Sequence, residues 1–493
     1  MWKNLIAKLR QVMYRMGLIR GIKSVYDKKE IPVNETFYNQ IDVWKALYSG
    51  YHEDFHKVKY HTINGGTKTR RMATLNMPKV VSQELATLIF NEKCEINISD
   101  QEFEKNVKEV FRCNSFYRQF QHYLEYSFAL GGAVIKAYAD ESSIRLGYVT
   151  ADCFIPLSWD NSGIHEGVFV SEIRRQNKKY THLEWHVWEG AEYVIRNELY
   201  ESSGEDLGVR VPLDTLFPNL EEEVRIQNLK RPLFVYIKPN TANNIDPTIP
   251  LGISIYANAL DTLKSLDIAF DSFQREFRLG RKRIIVPAAA IKTVVDPKTG
   301  QVHRYFDAND EVYEAFNFDQ DSNEIKDITV ELRVEEHIDA INALLDLLAM
   351  QIGFSAGSFT FDGQSVKTAT EVVSENSKTF RTKQSHETII EAAIQELVEI
   401  IGQVAELYEF FSVPDEYKVT VTFDDSIVQD KSSDAQYWIN LVNNRMAPRK
   451  LAIQKVLGVT EEEAAAMLEE IQKEQQTVTA QAIDLFGMGS GGE

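Results

Sequence analysis

From about residue 35 to 130 apolar side chains recur mostly three and four positions apart, the spacing of helices with one buried face. Pro78 opens one such helix, carried by Val81, Leu85, Leu88 and Ile89, and a second covers 116–128. From Ala133 to about Tyr236 the period changes to two, most plainly in 180–188 and 233–237, with Gly, Asn and Pro at the turns. The N-terminal half therefore reads as an α+β unit. Residues 239–250 hold three prolines and three asparagines and read as an extended connector, a hinge to the second half of the chain.

After Gly252 the helical period returns without interruption as far as Gly280, through Ile255, Leu260, Leu263, Leu266, Phe270, Phe273 and Phe277. At about 1.5 Å per residue that helix would be roughly 40 Å long. Residues 281–333 read as a small β-rich insert, with a run over 283–295, a turn at Asp296-Pro297-Lys298-Thr299-Gly300 and a strand over 302–306. Helix resumes at Val334 with the stripe Ile338, Ile341, Leu344, Leu345, Leu348 and Ile352, and Gly353 stops it. Two long helices thus bracket a compact β module. Residues 355–367 contain Gly and Ser with two exposed-looking aromatics, Phe359 and Phe361, and read as a mobile loop.

Thr368 or Thr370 then opens a helix of about 40 residues, through Ile389, Ile394, Leu397, Ile401 and Leu407 to Phe411. Residues 417–424 alternate as a half-buried strand that must pair with a strand laid down earlier. Three short helices close the chain: one around Tyr437, Trp438 and Leu441, one from Pro448 to Gly458, and one with a capping box at Thr460 and Glu463. A frayed tail covers 487–493, and no internal repeat is present.

Composition narrows the role. The 54 Lys and Arg against 73 Asp and Glu leave a net charge of −19, the wrong sign for tight neutralisation of phosphates. It is compatible with a conduit, since a wall that attracted phosphates along its length would hold a duplex still. Cys94, Cys113 and Cys153 include no CxxC pair and read as buried thiols in a reducing compartment. The longest uncharged apolar run, 284–291, falls far short of the ~20 residues a membrane helix needs. The first twenty residues carry Lys3, Lys8, Arg10, Arg15 and Arg20 beside an apolar helical stripe, an amphipathic helix packed on protein or, alternatively, on a membrane surface.

Catalytic motifs are few. His52-Glu53-Asp54-Phe55-His56 is a literal HExxH, which on a helix sets two imidazoles on one face beside a glutamate. A zinc hydrolase built on His52, Glu53 and His56 would take its third ligand from His61, Glu84 or Glu92. The opposing reading is a polar helix face with no metal. His182, Glu184, His186 and Trp188 alternate on one face of a strand, read as the polar face of a sheet. No P-loop, GxSxG or dinucleotide fingerprint occurs, and no cofactor or catalytic residue is expected. Arg281, Lys282 and Arg283 form the densest positive patch outside the N-terminus.

Several stretches, taken together in this order, are similar to recurrent segments of one family: 44–51 (Trp-Lys-Ala-Leu-Tyr-Ser-Gly-Tyr), 74–80 (Thr-Leu-Asn-Met-Pro-Lys-Val), 88–95 (Leu-Ile-Phe-Asn-Glu-Lys-Cys-Glu), 252–278 and 368–376 (Thr-Ala-Thr-Glu-Val-Val-Ser-Glu-Asn). The chain resembles the portal proteins of tailed bacteriophages, of the type found in long-tailed phages of Gram-positive hosts. The resemblance implies an α+β portal fold assembling as a ring, a dodecamer, in the virion. Its parts would be a wing (1–250, completed by a long helix and strand in 369–426), a first stem helix (251–280), a β-rich clip (281–333), a second stem helix (334–354), a tunnel loop (355–368), a helical crown (427–475) and a flexible tail (476–493). Ser358, Phe359, Phe361, Asp362, Gln364 and Lys367 would line a DNA channel, and Arg281, Lys282 and Arg283 would serve docking at the clip. The implied partners are further copies of the chain, the terminase large subunit, a head-tail adaptor, major capsid and scaffolding proteins, and double-stranded DNA bound without sequence preference; no membrane is implied. Another phage minor head protein is the remaining alternative.

Overall fold

The computed structural model describes residues 25, 28, 30–31, 33–61, 66–91, 93–140, 143–175, 178–204, 206–280, 284–285, 292–295, 302–305, 326–327, 331–361, 377–423, 431–457 and 464–471. Helix α1 (Glu35–Tyr48) starts where the Asn34 side chain accepts the Phe37 amide, and a single turn, α2 (Glu53–His56), leads into an antiparallel ribbon of β1 (Lys57–His61) and β2 (Thr67–Arg71). Helix α3 (Met77–Ile89) has Pro in its first turn; β3 (Glu95–Ile98), α4 (Gln101–Cys113) and α5 (Phe116–Leu130) come next. Strands β4 (Ala133–Asp140), β5 (Ser143–Thr150), β6 (Phe154–Asp160), β7 (Gly163–Arg175), β8 (Lys178–Glu189), β9 (Glu192–Ser202), β10 (Val209–Val211), β11 (Glu223–Ile226) and β12 (Phe234–Ile237) carry the alternating half of the sequence.

These strands form two sheets. One is six-stranded in the order β10-β9-β8-β7-β6 with β11 also on β9, and the other is three-stranded in the order β12-β4-β5, every pairing antiparallel. Phe154, Phe169 and Phe234 join the sheets edge to face or tilted, with ring centroids 5.0 to 5.5 Å apart. Both faces of β8 are therefore buried, the polar row His182, Glu184 and His186 as fully as Leu183 and Trp185. The expectation of an ordinary polar sheet face is corrected: this row is part of the interior.

Two further expectations change. The connector 239–250 has no regular structure, yet it is pinned and not a free hinge: Asn243 Oδ1 accepts from the amides of Ile245 and Asp246, the Asn34 amide group donates to Asp246, and the Asn240 amide nitrogen donates to His386 Nδ1. The helix expected from Gly252 begins only at Leu260, so that α6 (Leu260–Leu279) is about 30 Å long. Leu251, Ile253, Ile255 and Tyr256 are instead an irregular, buried segment threaded through the core. The Ile255 amide donates to Phe128 O, the Tyr256 hydroxyl donates to Trp44 O, and a Cβ on Gly252 would lie 2.4 Å from Gly131 O. An apolar run with helical spacing serves equally well for a segment buried on every side.

Of the insert, the structure describes β13 (Ile284–Ile285) paired with β16 (Lys326–Asp327), and the hairpin of β14 (Lys292–Val295) with β15 (Val302–Tyr305). Helix α7 (Val334–Ile352) ends at Gly353, φ +90°. Helix α8 (Ser377–Leu407) buries Ile390, Ile394, Leu397, Ile400, Ile401 and Val404 over β4 and β12. It stops short of Phe411, because Glu409 turns left-handed (φ +54°) and the Phe410 amide closes on Ala405 O. The start expected at Thr368 or Thr370 lies outside the described residues. β17 (Val419–Thr422) pairs antiparallel with β3, closing the chain back on its beginning. Helices α9 (Lys431–Asn443) and α10 (Arg449–Leu457) and a helix over 464–471 come last. The amphipathic stripe of the first twenty residues, the capping box at Thr460 and the C-terminal tail lie outside the described residues.

Candidate functional site at the helix pair

Helices α6 and α7 run antiparallel, and their packing is set by the apolar rows read in the sequence: Leu263 and Leu266 are buried on α6, Ile341, Leu345 and Leu348 on α7, with Phe270 and Phe273 half-buried between them. At the insert end Arg333 donates to both oxygens of Glu276 (3.1 and 2.9 Å), the His337 ring lies 5.9 Å from that of Phe273, and a Cβ on Gly280 would meet Leu332 at 2.3 Å. The guanidinium of Arg333 holds the Glu276 carboxyl down to about 2. The insert thus leaves and re-enters the fold at one place.

The segment after α7 folds back into the groove between the two helices. Gly353 takes the left-handed conformation, and a side chain there would also strike Thr382, whose hydroxyl donates to Gly353 O at 2.7 Å. Ser355 and Thr379 bond mutually, the Gly357 amide donates to Asp346 Oδ1 (2.7 Å) and the Phe361 amide to Asn342 Oδ1 (2.9 Å). Phe359 is half-buried against Phe354 (5.2 Å), and Phe361 stands edge-on to Phe270 and Phe273 (6.4 and 5.8 Å) while staying partly exposed. Residues 355–361, the described part of the expected loop, are therefore a turn tied to α7 and α8 by hydrogen bonds, and Phe359 is half-buried, not the exposed aromatic expected. Ser358 is exposed on it. Asp362, Gln364 and Lys367, like Arg281, Lys282 and Arg283, lie outside the described residues. The turn's own anchors, Asn342 and Asp346, escaped the sequence reading; their only signal was a pair of polar residues four apart in the apolar stretch from Ala340 to Met350.

On its opposite side α6 holds the N-terminal ribbon. Asp267 accepts from the Leu75 amide (2.9 Å) and lies 3.0 Å from His56 Nε2. Asp271 takes both Arg70 guanidinium nitrogens (2.7 and 2.5 Å) and the Ala73 amide, and Arg70 holds its carboxyl below the usual range.

This arrangement corrects the HExxH reading. The helix has a single turn, His52 precedes it in extended conformation, and His56 is buried with Nδ1 accepting the His52 amide and Nε2 on Asp267, so both of its nitrogens are engaged. Glu53 is exposed and pairs with Lys57. Among the described residues no three His, Cys, Asp or Glu side chains are placed to hold a metal, and the zinc-hydrolase alternative has no support in this geometry. His182 and His186 are committed as well: His186 bridges Glu184 (2.7 Å) and the Tyr193 hydroxyl (2.8 Å), Glu184 also takes the buried Lys136 ammonium (2.7 Å), and His182 bonds Asn197 (3.0 Å). Burial pushes both imidazoles below their ordinary value. Burial also opposes the Glu184 charge, yet Lys136 and His186 together hold that carboxyl well below its usual range. Of the cysteines expected to be buried, Cys94 is, Cys153 is half-buried and Cys113 is exposed.

What the geometry offers is mechanical: a braced helix pair, an insert hung on one end, a packed turn in its groove and a clasped ribbon on its flank. The sequence pattern of one family, described as "Phage portal protein, SPP1 Gp6-like", matches residues 27–477. The chain belongs to this portal protein family. Its function is accordingly that of a phage portal protein, and the mixed α+β fold is consistent with it. The family is structural and not enzymatic. No curated protein matches the portal chain. Among the described residues no helix is long and apolar enough to cross a membrane.

Proposed function

We propose that the portal chain is the repeating subunit of a ring, a dodecamer, set at one capsid vertex, and that DNA passes through the central hole during packaging and ejection. The observation that supports this best is the antiparallel pair α6 and α7: its insert leaves and returns between Glu276 and Arg333, so each copy would present the same module at the same end of the same two struts. In this reading the struts, within 251–280 and 334–354, are the stem. Residues 281–333 are the clip, where Arg281, Lys282 and Arg283 face the terminase motor and later the head-tail adaptor. Residues 1–250 with 369–426 are the wing, 427–475 the crown near capsid and scaffolding proteins, and 476–493 a tail.

The turn at 355–361 begins the tunnel loop, 355–368. Ser358 and the exposed part of Phe361, with Phe359, Asp362, Gln364 and Lys367, would repeat once per subunit and form collars around the DNA. The net charge of −19 favours sliding over gripping.

Negative-stain imaging of the purified full chain is the direct test: rings with a central hole are expected, and particles that are single globules refute the reading. For the loop, deleting 358–365 is expected to leave rings intact while heads fail to package or retain DNA. Normal DNA-filled heads from that deletion would refute the loop assignment.

A further inference from the structure

The flank of α6 that carries the ribbon and the outer face of α7 differ in charge. Within the ribbon, the face formed by Lys57, Lys59, His61, Thr67, Thr69 and Arg71 is exposed along its whole length, and its described residues include no acid. Lys68 and Tyr60, on the other face, are exposed too. Lys264, over the Phe55 ring at 5.4 Å, and Arg275, beside Asp271, extend the patch along α6. Arg275 acts on the buried Asp271 and Lys59 on the exposed Glu53, each at longer range than a direct ion pair. Of the acids that α6 turns this way, Asp267 and Asp271 are buried beneath the ribbon and Asp261 is exposed three residues before Lys264.

Helix α7 has the reverse character. It contains no Lys or Arg, and Glu335, Glu336, Asp339 and Asp346 are exposed on it between Ala340, Ala343, Leu347 and Met350, which are exposed too. At about 100° per residue, the α6 positions that hold the ribbon, Asp267 and Asp271, lie on roughly the opposite side from Phe273 and Glu276, which meet α7 and its N-terminal lead. Ribbon, α6 and α7 are thus three layers in a row, basic at one edge and acidic at the other. A two-stranded ribbon open on both edges is also a weak structure alone, and it gains from being covered.

We infer that the two ribbon strands, β1 and β2, are the docking element for a second copy of this chain, seated on the acidic outer face of the neighbour's α7. Opposite charges on opposite edges make a head-to-tail contact, the kind that closes into a ring, and they favour this register over an edge meeting its like. Tyr60 and Ile268 on one edge and Leu347 and Met350 on the other supply the apolar area that charges alone do not. The inference rests on the ring reading and names the surfaces that would build it.

Charge exchange on the full chain tests it. Lys59→Glu with Lys68→Glu reverses the ribbon, Glu335→Lys with Asp339→Lys reverses the α7 face, and a third variant carries all four. All four side chains are exposed, and circular dichroism of each variant checks the fold. By sedimentation velocity, each pair is expected to raise the concentration for half-assembly about tenfold or more at roughly 0.1 M salt, and the four-site variant to recover most of the loss. If the unaltered chain stays monomeric, the ring reading falls and takes this contact with it. If the unaltered chain assembles and the reversed ribbon assembles equally well, only the ribbon contact is overturned. If assembly is unchanged while the reversed ribbon loses affinity for a short DNA duplex, the ribbon faces a polyanion and the second copy is the wrong partner.

Discussion

His386 shows how burial turns an ordinary residue into a pH-dependent one. It sits between the Phe128 ring, 5.2 Å away, and the Asn240 amide, which donates to its Nδ1, and burial pushes its pKa down to about 4. The unfolded chain takes up this proton near pH 6.5 and the folded chain only near 4, so stability falls as pH drops through that window, by about 2 kcal/mol at pH 5. Buried His182 and His186 act in the same direction. Urea unfolding at pH 7 and pH 5 should show a lower midpoint at pH 5, with a smaller difference in His386→Gln; equal midpoints would contradict this account. Glu184 makes the matching case for charge. Removing it by Glu184→Leu leaves the Lys136 ammonium buried without its partner and should cost about 3–5 kcal/mol, whereas Lys136→Met combined with Glu184→Leu should cost markedly less than either the single change or the sum. Thermal melts of the three variants decide it.

At the scale of elements, the ribbon is thinly packed and depends on one bond pair. Its described residues are exposed except Val58 and Arg70, and Arg70 is the one tied to Asp271. Asp271→Ala should therefore free β2 without melting the sheets. Hydrogen exchange over 67–71 is expected to speed up by about tenfold or more while β8 and β9 stay protected. Unchanged exchange would mean that the ribbon is held elsewhere. The turn after α7 has a comparable dependence on Gly353, where Ala would combine a left-handed backbone with a clash against Thr382. A loss of about 2 kcal/mol, read from the shift in unfolding midpoint, is the expected result.

The whole molecule divides by burial. One continuous core runs from Phe37 and Trp44 through both sheets to α6, α7 and α8, and β17 locks it by pairing with β3. Helices α9 and α10 are different: none of their described side chains is buried, and Tyr437, Ile439, Met446 and Leu457 stand exposed. Truncation after residue 427 should leave the main calorimetric transition within about 2 °C of the full chain's, because little of that core is lost. A large drop would show that the C-terminal helices support it.

Much of this was readable from periodicity. The stripe from Ile341 to Ile352, the stop at Gly353, the alternation of β8 and the strand that pairs with β3 each have a local cause, a face that must be buried or a backbone angle that favours glycine. Periodicity also suggested helix from Gly252 to Leu260, because an apolar run looks the same whether a helix or a threaded segment buries it. The HExxH motif looked catalytic because spacing says nothing of partners, and only the fold brings Asp267 from 211 residues away to His56. Likewise, that Asp267 and Asp271 would hold a basic ribbon, or that Lys136 would reach Glu184, depended on contacts between distant parts of the chain. Local sequence determined which faces seek burial; the tertiary structure decided what they meet, because those partners are chosen by packing across the chain and not by neighbours along it.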